Sequence, residues 1–74
     1  NPISKEGMVY FRNDSREPYR LILFSTRGSE ERVYTTRDEF FRLNVSDMAA
    51  GLYVFRIESE TGAPRSIGKI LVTR

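Results

Sequence analysis

The sequence predicts an all-β chain, an Ig-like antiparallel β-sandwich of about six or seven short strands in Greek-key order. Three observations predict it. Apolar residues recur with a period of two rather than 3.6. Turn residues (Gly, Pro, Asn, Asp) cut that alternation into short runs. Finally, the small-residue stretch "DMAAG" feeds directly into the cleanest alternating run, "LYVFRIESE".

The elements follow in order. "GMVYFRN" (Gly7 to Asn13) places Val9 and Phe11 on one face and Met8 and Tyr10 on the other. Pro18 opens the next run, "YRLILFS" (Tyr19 to Ser25), where a missing donor does no harm. Tyr19, Leu21 and Leu23 line one face of it. "TRGSEE" reads as a turn around Gly28, and "RVYTT" (Arg32 to Thr36) is rich in β-branched and aromatic residues. "EFFRLNV" (Glu39 to Val45) sets Phe41, Leu43 and Val45 on one face. "SDMAA" alone could form a turn of helix, because Gly, Pro and β-branched residues recur too often elsewhere. "GLYVFRIESE" puts Tyr53, Phe55 and Ile57 on one side and Arg56 and Glu58 on the other. "TGAP" (Thr61 to Pro64) turns the chain into "RSIGKILVTR", where Ile70 and Val72 oppose Ile67 and Leu71.

The "DMAAGLY" stretch allows two readings. In Greek-key sandwiches a tyrosine at the start of a late strand can return its hydroxyl to the preceding corner. Asp47, Ala49, Ala50, Gly51 and Tyr53 suit that arrangement, because the corner must pass close to the ring. The other reading is a plain loop, with Tyr53 an ordinary core aromatic.

Length and composition narrow the function. Seventy-four residues make one domain (1–74), and the Asn1-Pro2 opening is read as a cut from a longer parent protein. With Cys 0 and His 0, the core must come from the 39% hydrophobic residues, or from packing against something else, without disulfide or zinc. The longest apolar runs, "LILF" and "KILV", fall far short of the roughly 20 residues of a membrane helix. Twelve basic residues against ten acidic are interspersed, not gathered into the basic face that nucleic acid requires.

Catalytic constellations are missing too. Without His or Cys the common nucleophile–base pairs cannot form. The paired carboxylates, Glu30-Glu31, Asp38-Glu39 and Glu58/Glu60, read as solvated faces. Gly28 and Gly62 stand alone rather than in a phosphate loop. The chain is therefore read as a non-enzyme with no catalytic residue, metal site or cofactor. Asn13 and Asn44 begin "NDS" and "NVS" sequons, which matter only in a host that glycosylates.

The order of segments carries a resemblance across essentially the whole chain: the Asn1-Pro2 opening, a first strand, a strand leading to the turn glycine Gly28, "DMAAGLYVFRI", and the terminal "GKILVTR". In this order the chain resembles the type A C-terminal sorting domain of the type IX (Por) secretion system of Bacteroidetes. Gly51, Tyr53, Phe55 and Ile57 match the family's central motif; Lys69, Ile70 and Val72 match its lysine-led apolar last strand. Met48 stands where leucine is usual, Ala49-Ala50 where Pro-Ala is common, and Ser25 where a turn aspartate is expected.

The resemblance implies a secretion signal that carries its parent from the periplasm across the outer membrane, to the cell surface or the medium. The implied partners are the type IX translocon and outer-membrane shuttle and sortase proteins. A sortase-like peptidase would then remove the domain and attach the cargo, unless the parent is a machinery subunit that retains it. Gly51, Tyr53, Ile67, Lys69, Ile70, Leu71 and Val72 are the candidate recognition residues. The last strand is expected at a sheet edge, where a partner could add a strand, with Ile67 and Leu71 in partner pockets and Lys69 guarding the edge. Such an edge also leaves room for a dimer. The alternative is an Ig-like or fibronectin-type accessory or adhesion module of a bacterial surface protein.

Overall fold

Alternation prevails along the chain. The computed structural model describes residues 2–27 and 29–73, so the expectations for Asn1, Gly28 and Arg74 lie outside the described residues. It is all-β. The strands are β1 (Pro2–Ile3), β2 (Glu6–Tyr10), β3 (Tyr19–Ser25), β4 (Glu30–Thr36), β5 (Phe40–Asn44), β6 (Gly51–Ser59) and β7 (Pro64–Val72). "SDMAA" forms a hydrogen-bonded turn instead of helix, with Met48 N–H donating to the Val45 carbonyl at 3.0 Å.

Two sheets result. One is five-stranded, in the order β1-β7-β6-β3-β4; the other pairs β2 with β5. All pairings are antiparallel except β1 with β7, which is parallel. The chain crosses between sheets at β1–β2, β2–β3, β4–β5 and β5–β6, which is the Greek-key connectivity. In immunoglobulin terms β2 and β5 take the places of strands B and E, and β3, β4, β6 and β7 those of C, C′, F and G.

The inward faces make the core. The large sheet supplies Leu21, Leu23, Tyr53, Ile57, Ile70 and Val72; the small sheet supplies Phe41 and Leu43. Val45 and Met48, from the connection between β5 and β6, close one end. A fully buried Leu or Phe contributes about 1.5–3 kcal/mol relative to exposure, so these few residues carry most of the stability of so short a chain. Phe11 continues β2 beyond its last pair and stacks on Phe41 at 5.1 Å.

Polar ties hold the connections. Asn13 is 3% exposed, and its Nδ2 donates to the carbonyls of Glu17, Arg37 and Asp38 at 2.8–3.2 Å. Its Oδ1 accepts from Glu17 N–H, so one side chain binds the β2–β3 loop to the β4–β5 loop. The "NDS" asparagine is therefore committed to the fold, whereas Asn44 of "NVS" is exposed. The hairpin between β6 and β7 closes at "TGAP" through Ser59 N–H to Ala63 O, at 2.9 Å.

Candidate recognition surface

The stretch from Asp47 to Tyr53 forms the tyrosine corner. The Tyr53 hydroxyl donates to the Ala49 carbonyl at 2.8 Å, four residues back, while the ring is buried in the core. Gly51 enters β6 at φ +150°, a backbone conformation that disfavours a side chain. The aspartate has its own task. Arg32 on β4 reaches Asp47 with two guanidinium nitrogens, at 2.9 and 3.2 Å, and also donates to the Asn44 carbonyl. Tyr34 donates to the same carbonyl at 3.1 Å, and burial holds its phenol above the ordinary pKa, so it stays a donor. Replacing Tyr53 by phenylalanine will remove one hydrogen bond and cost about 1 kcal/mol, read as a lower urea midpoint at unchanged slope.

The last strand sits differently from its expected place. β7 is bounded on one side by β6 along its length, and its end is covered on the other side by β1: Pro2 pairs with Leu71 and Ile3 with Val72. Thr73 N–H continues this contact to the Ile3 carbonyl at 2.8 Å. The free edge is thus the earlier part of β7, not its terminus. Of the candidate recognition residues on it, Ile70 and Val72 are buried, while Ile67 (74% exposed), Lys69 and Leu71 lie on the outer face. Gly51 and Tyr53 are next to them in space, because Gly51 pairs with Val72 and Tyr53 with Ile70. Tyr53, Ile70 and Val72, being buried, can therefore serve recognition only by holding the strand in place.

That outer face carries an ion-pair network the sequence reading missed. Glu58 is 8% exposed rather than part of a solvated face, and Glu60 lies beyond β6 in the hairpin turn. One Glu58 oxygen accepts from Arg56 Nε at 2.8 Å, the other from Arg20 on β3 at 2.8 Å. These two guanidinium groups lower the Glu58 pKa from its ordinary 4.5, Arg56 foremost. Arg56 also lies over the Phe24 ring at 5.2 Å. Because the folded pKa is lowered, the network stabilises the fold above the unfolded carboxylate range and loses that contribution as pH falls through the folded value. Glu58→Gln will flatten the acid limb of Tm against pH below the ordinary pKa of 4.5; parallel curves for the two proteins would exclude this role.

Two concavities adjoin these residues. One, of about 410 Å³, lies beside the corner and is lined by Ser25, Arg27, Arg32, Asp47 and Gly51. The other, of about 310 Å³, runs between the facing edges of β2 and β7, with Met8, Val9, Phe55, Gly68 and Lys69 on its walls. Ile3 on β1 closes one end of this second cleft. Among the described residues no helix is long and apolar enough to cross a membrane, and no three His, Cys, Asp or Glu side chains gather to hold a metal. No known protein-family model matches the chain, and no curated protein matches it.

Proposed function

We propose that this chain is a C-terminal sorting domain, which directs a parent protein across the outer membrane through the type IX secretion system. The observation that supports the reading is spatial. The opening of the chain is far in sequence from two other segments that carry the resemblance, yet it lies beside them: β6 holds "GLYVFRI", β7, its hairpin partner, holds "GKILV", and β1, which begins at Pro2, pairs with β7. A signal read by a partner must present its parts together, and β1, β7 and the start of β6 meet at one side of the large sheet. The partners in this reading are the translocon and its outer-membrane shuttle and sortase proteins. The site of action is the periplasm, then the cell surface.

The test is export of a reporter with a bacterial signal peptide at its start and residues 1–74 at its end, in Bacteroidetes strains with and without a working type IX system. Surface delivery that depends on the system is the expected result. Truncation of Lys69 to Arg74 should abolish delivery. Periplasmic retention of a folded fusion in both strains would return the chain to the alternative, an Ig-like accessory module of a surface protein.

A further inference from the structure

We propose that the cleft between β7 and β2 receives an extended segment of a partner polypeptide, which adds to the free edge of β7 as a parallel strand behind β1. This deepens the transport reading by naming how a partner would hold the domain. The edge already accepts such a strand. β1 lies on it in parallel register, Pro2 against Leu71 and Ile3 against Val72, but covers only that end. From Pro64 to Lys69, β7 has β6 on one side and no strand on the other among the described residues. Backbone N–H and C=O groups along such an edge are a template for strand addition.

The cleft says what the incoming strand should look like. Side chains of neighbouring paired strands share a face, so a residue beside Gly68 points inward and one beside Lys69 points outward. Gly68 has no side chain, and the Phe55 ring lies directly against it, half-buried in the cleft. An inward apolar residue there meets Phe55, with Val9 and Met8 on the opposite wall. Outside, the exposed Lys69 ammonium stands next to Ile67 and Leu71, which favours a carboxylate in the outward position. The fitted partner is an extended segment with apolar residues at every second position and an acidic residue between them. The outer sheet face is a poorer candidate for self-pairing, since Arg20, Arg56 and Lys69 outnumber Glu58 and two copies would set like charges together.

The probe is an acetylated heptapeptide with valine at alternate positions and glutamate between, titrated into ¹⁵N-labelled chain 1–74. Amide shifts should concentrate between Ser66 and Lys69. Backbone N-methylation of the peptide, or a scramble that destroys the alternation, should weaken binding about tenfold or more, the loss of one or two hydrogen bonds. Orientation is read by disulfide trapping, which the cysteine-free chain permits. With Lys69→Cys or Ile67→Cys, both at exposed positions, and peptides carrying one cysteine in place of each glutamate in turn, joined under oxidised glutathione, the peptide position captured by residue 67 should lie two residues N-terminal to that captured by 69. The reverse order means antiparallel addition and overturns the proposal. So do shifts confined to Val33 and Leu52, which mark binding to the outer face, and edge shifts from dimerisation without peptide, which make a second copy the occupant. No export machinery enters this titration. Its failure would leave the sorting reading standing, and failure of reporter export would leave the peptide result standing.

Discussion

Phe41→Ala will lower the stability of the domain by about 3–5 kcal/mol, a large share of what so short a chain has. Phe41 is 1% exposed and is among the largest fully buried side chains. It is the second residue of β5, stacked on Phe11, in a sheet of two strands. Truncating a buried phenylalanine costs about 3–5 kcal/mol, the lost transfer energy plus the cavity left behind. A chain of this length has a total stability of about 4–11 kcal/mol, so the change removes a large part or all of it. The two-stranded sheet has little else to hold it, because a hairpin-sized pair needs a packed hydrophobic face to persist. Phe40→Ala is the comparison. Phe40 points to the opposite side and is only half-buried, with the exposed Tyr10 ring tilted at 6.0 Å from it, so its loss will cost less, about 1–2 kcal/mol. Urea melts followed by circular dichroism decide the matter: equal midpoints for the two variants would mean that β5 does not carry the core.

That contrast also shows what the amino-acid order made legible. Phe41, Leu43 and Val45 fall on one face by period two, and all three are buried. The same rule places Leu21, Leu23, Tyr53, Ile57, Ile70 and Val72, because each strand is long enough for its side chains to be sorted by the pleat. The tyrosine corner was one of two readings that the small residues allowed, and the Tyr53 hydroxyl on the Ala49 carbonyl decides for it. Other features depend on partners distant in sequence. β1 has two residues, too few to show a period, and its parallel pairing with β7 spans nearly the whole chain. Its presence is why the terminus of β7 is not an open edge. Glu58 is buried because antiparallel register sets Arg20 opposite it, with Arg56 two residues away on its own strand. Register of that kind is fixed by both strands together, so neither run reveals it alone. Asn13 belongs to the same class: its three acceptors lie in two loops brought together only by the fold. Of the candidate recognition surface, the sequence marked the strand and its outward residues, Ile67, Lys69 and Leu71. It could not mark the cleft, which exists only where β2 faces β7.

Gly68→Ala will destabilise the domain by about 1–3 kcal/mol, the usual effect of forcing extra volume into a packed contact. Gly68 and Phe55 are paired across β7 and β6, and the ring lies over the glycine, so an added Cβ would overlap Phe55 Cζ and Cε2. Backbone conformation is not the obstacle, since Gly68 sits within a regular strand. The obstacle is a rigid ring, which covers a residue with no side chain of its own, a pairing that shields strand glycines. Relief should therefore come from the partner. Phe55→Leu on its own will lose packing, but combined with Gly68→Ala it will cost less than the sum of the two changes. Residues in contact commonly show such coupling, whereas independent sites add to within about 0.5 kcal/mol. The cycle also bears on the cleft, because Phe55 and Gly68 form its wall beside the free edge of β7. In Gly68→Ala the added methyl and the displaced ring both alter that wall, so the heptapeptide will bind more weakly to that variant even where it remains folded. Additive stabilities in the cycle would mean that the ring yields without strain, and the edge would then be shaped by the backbone alone.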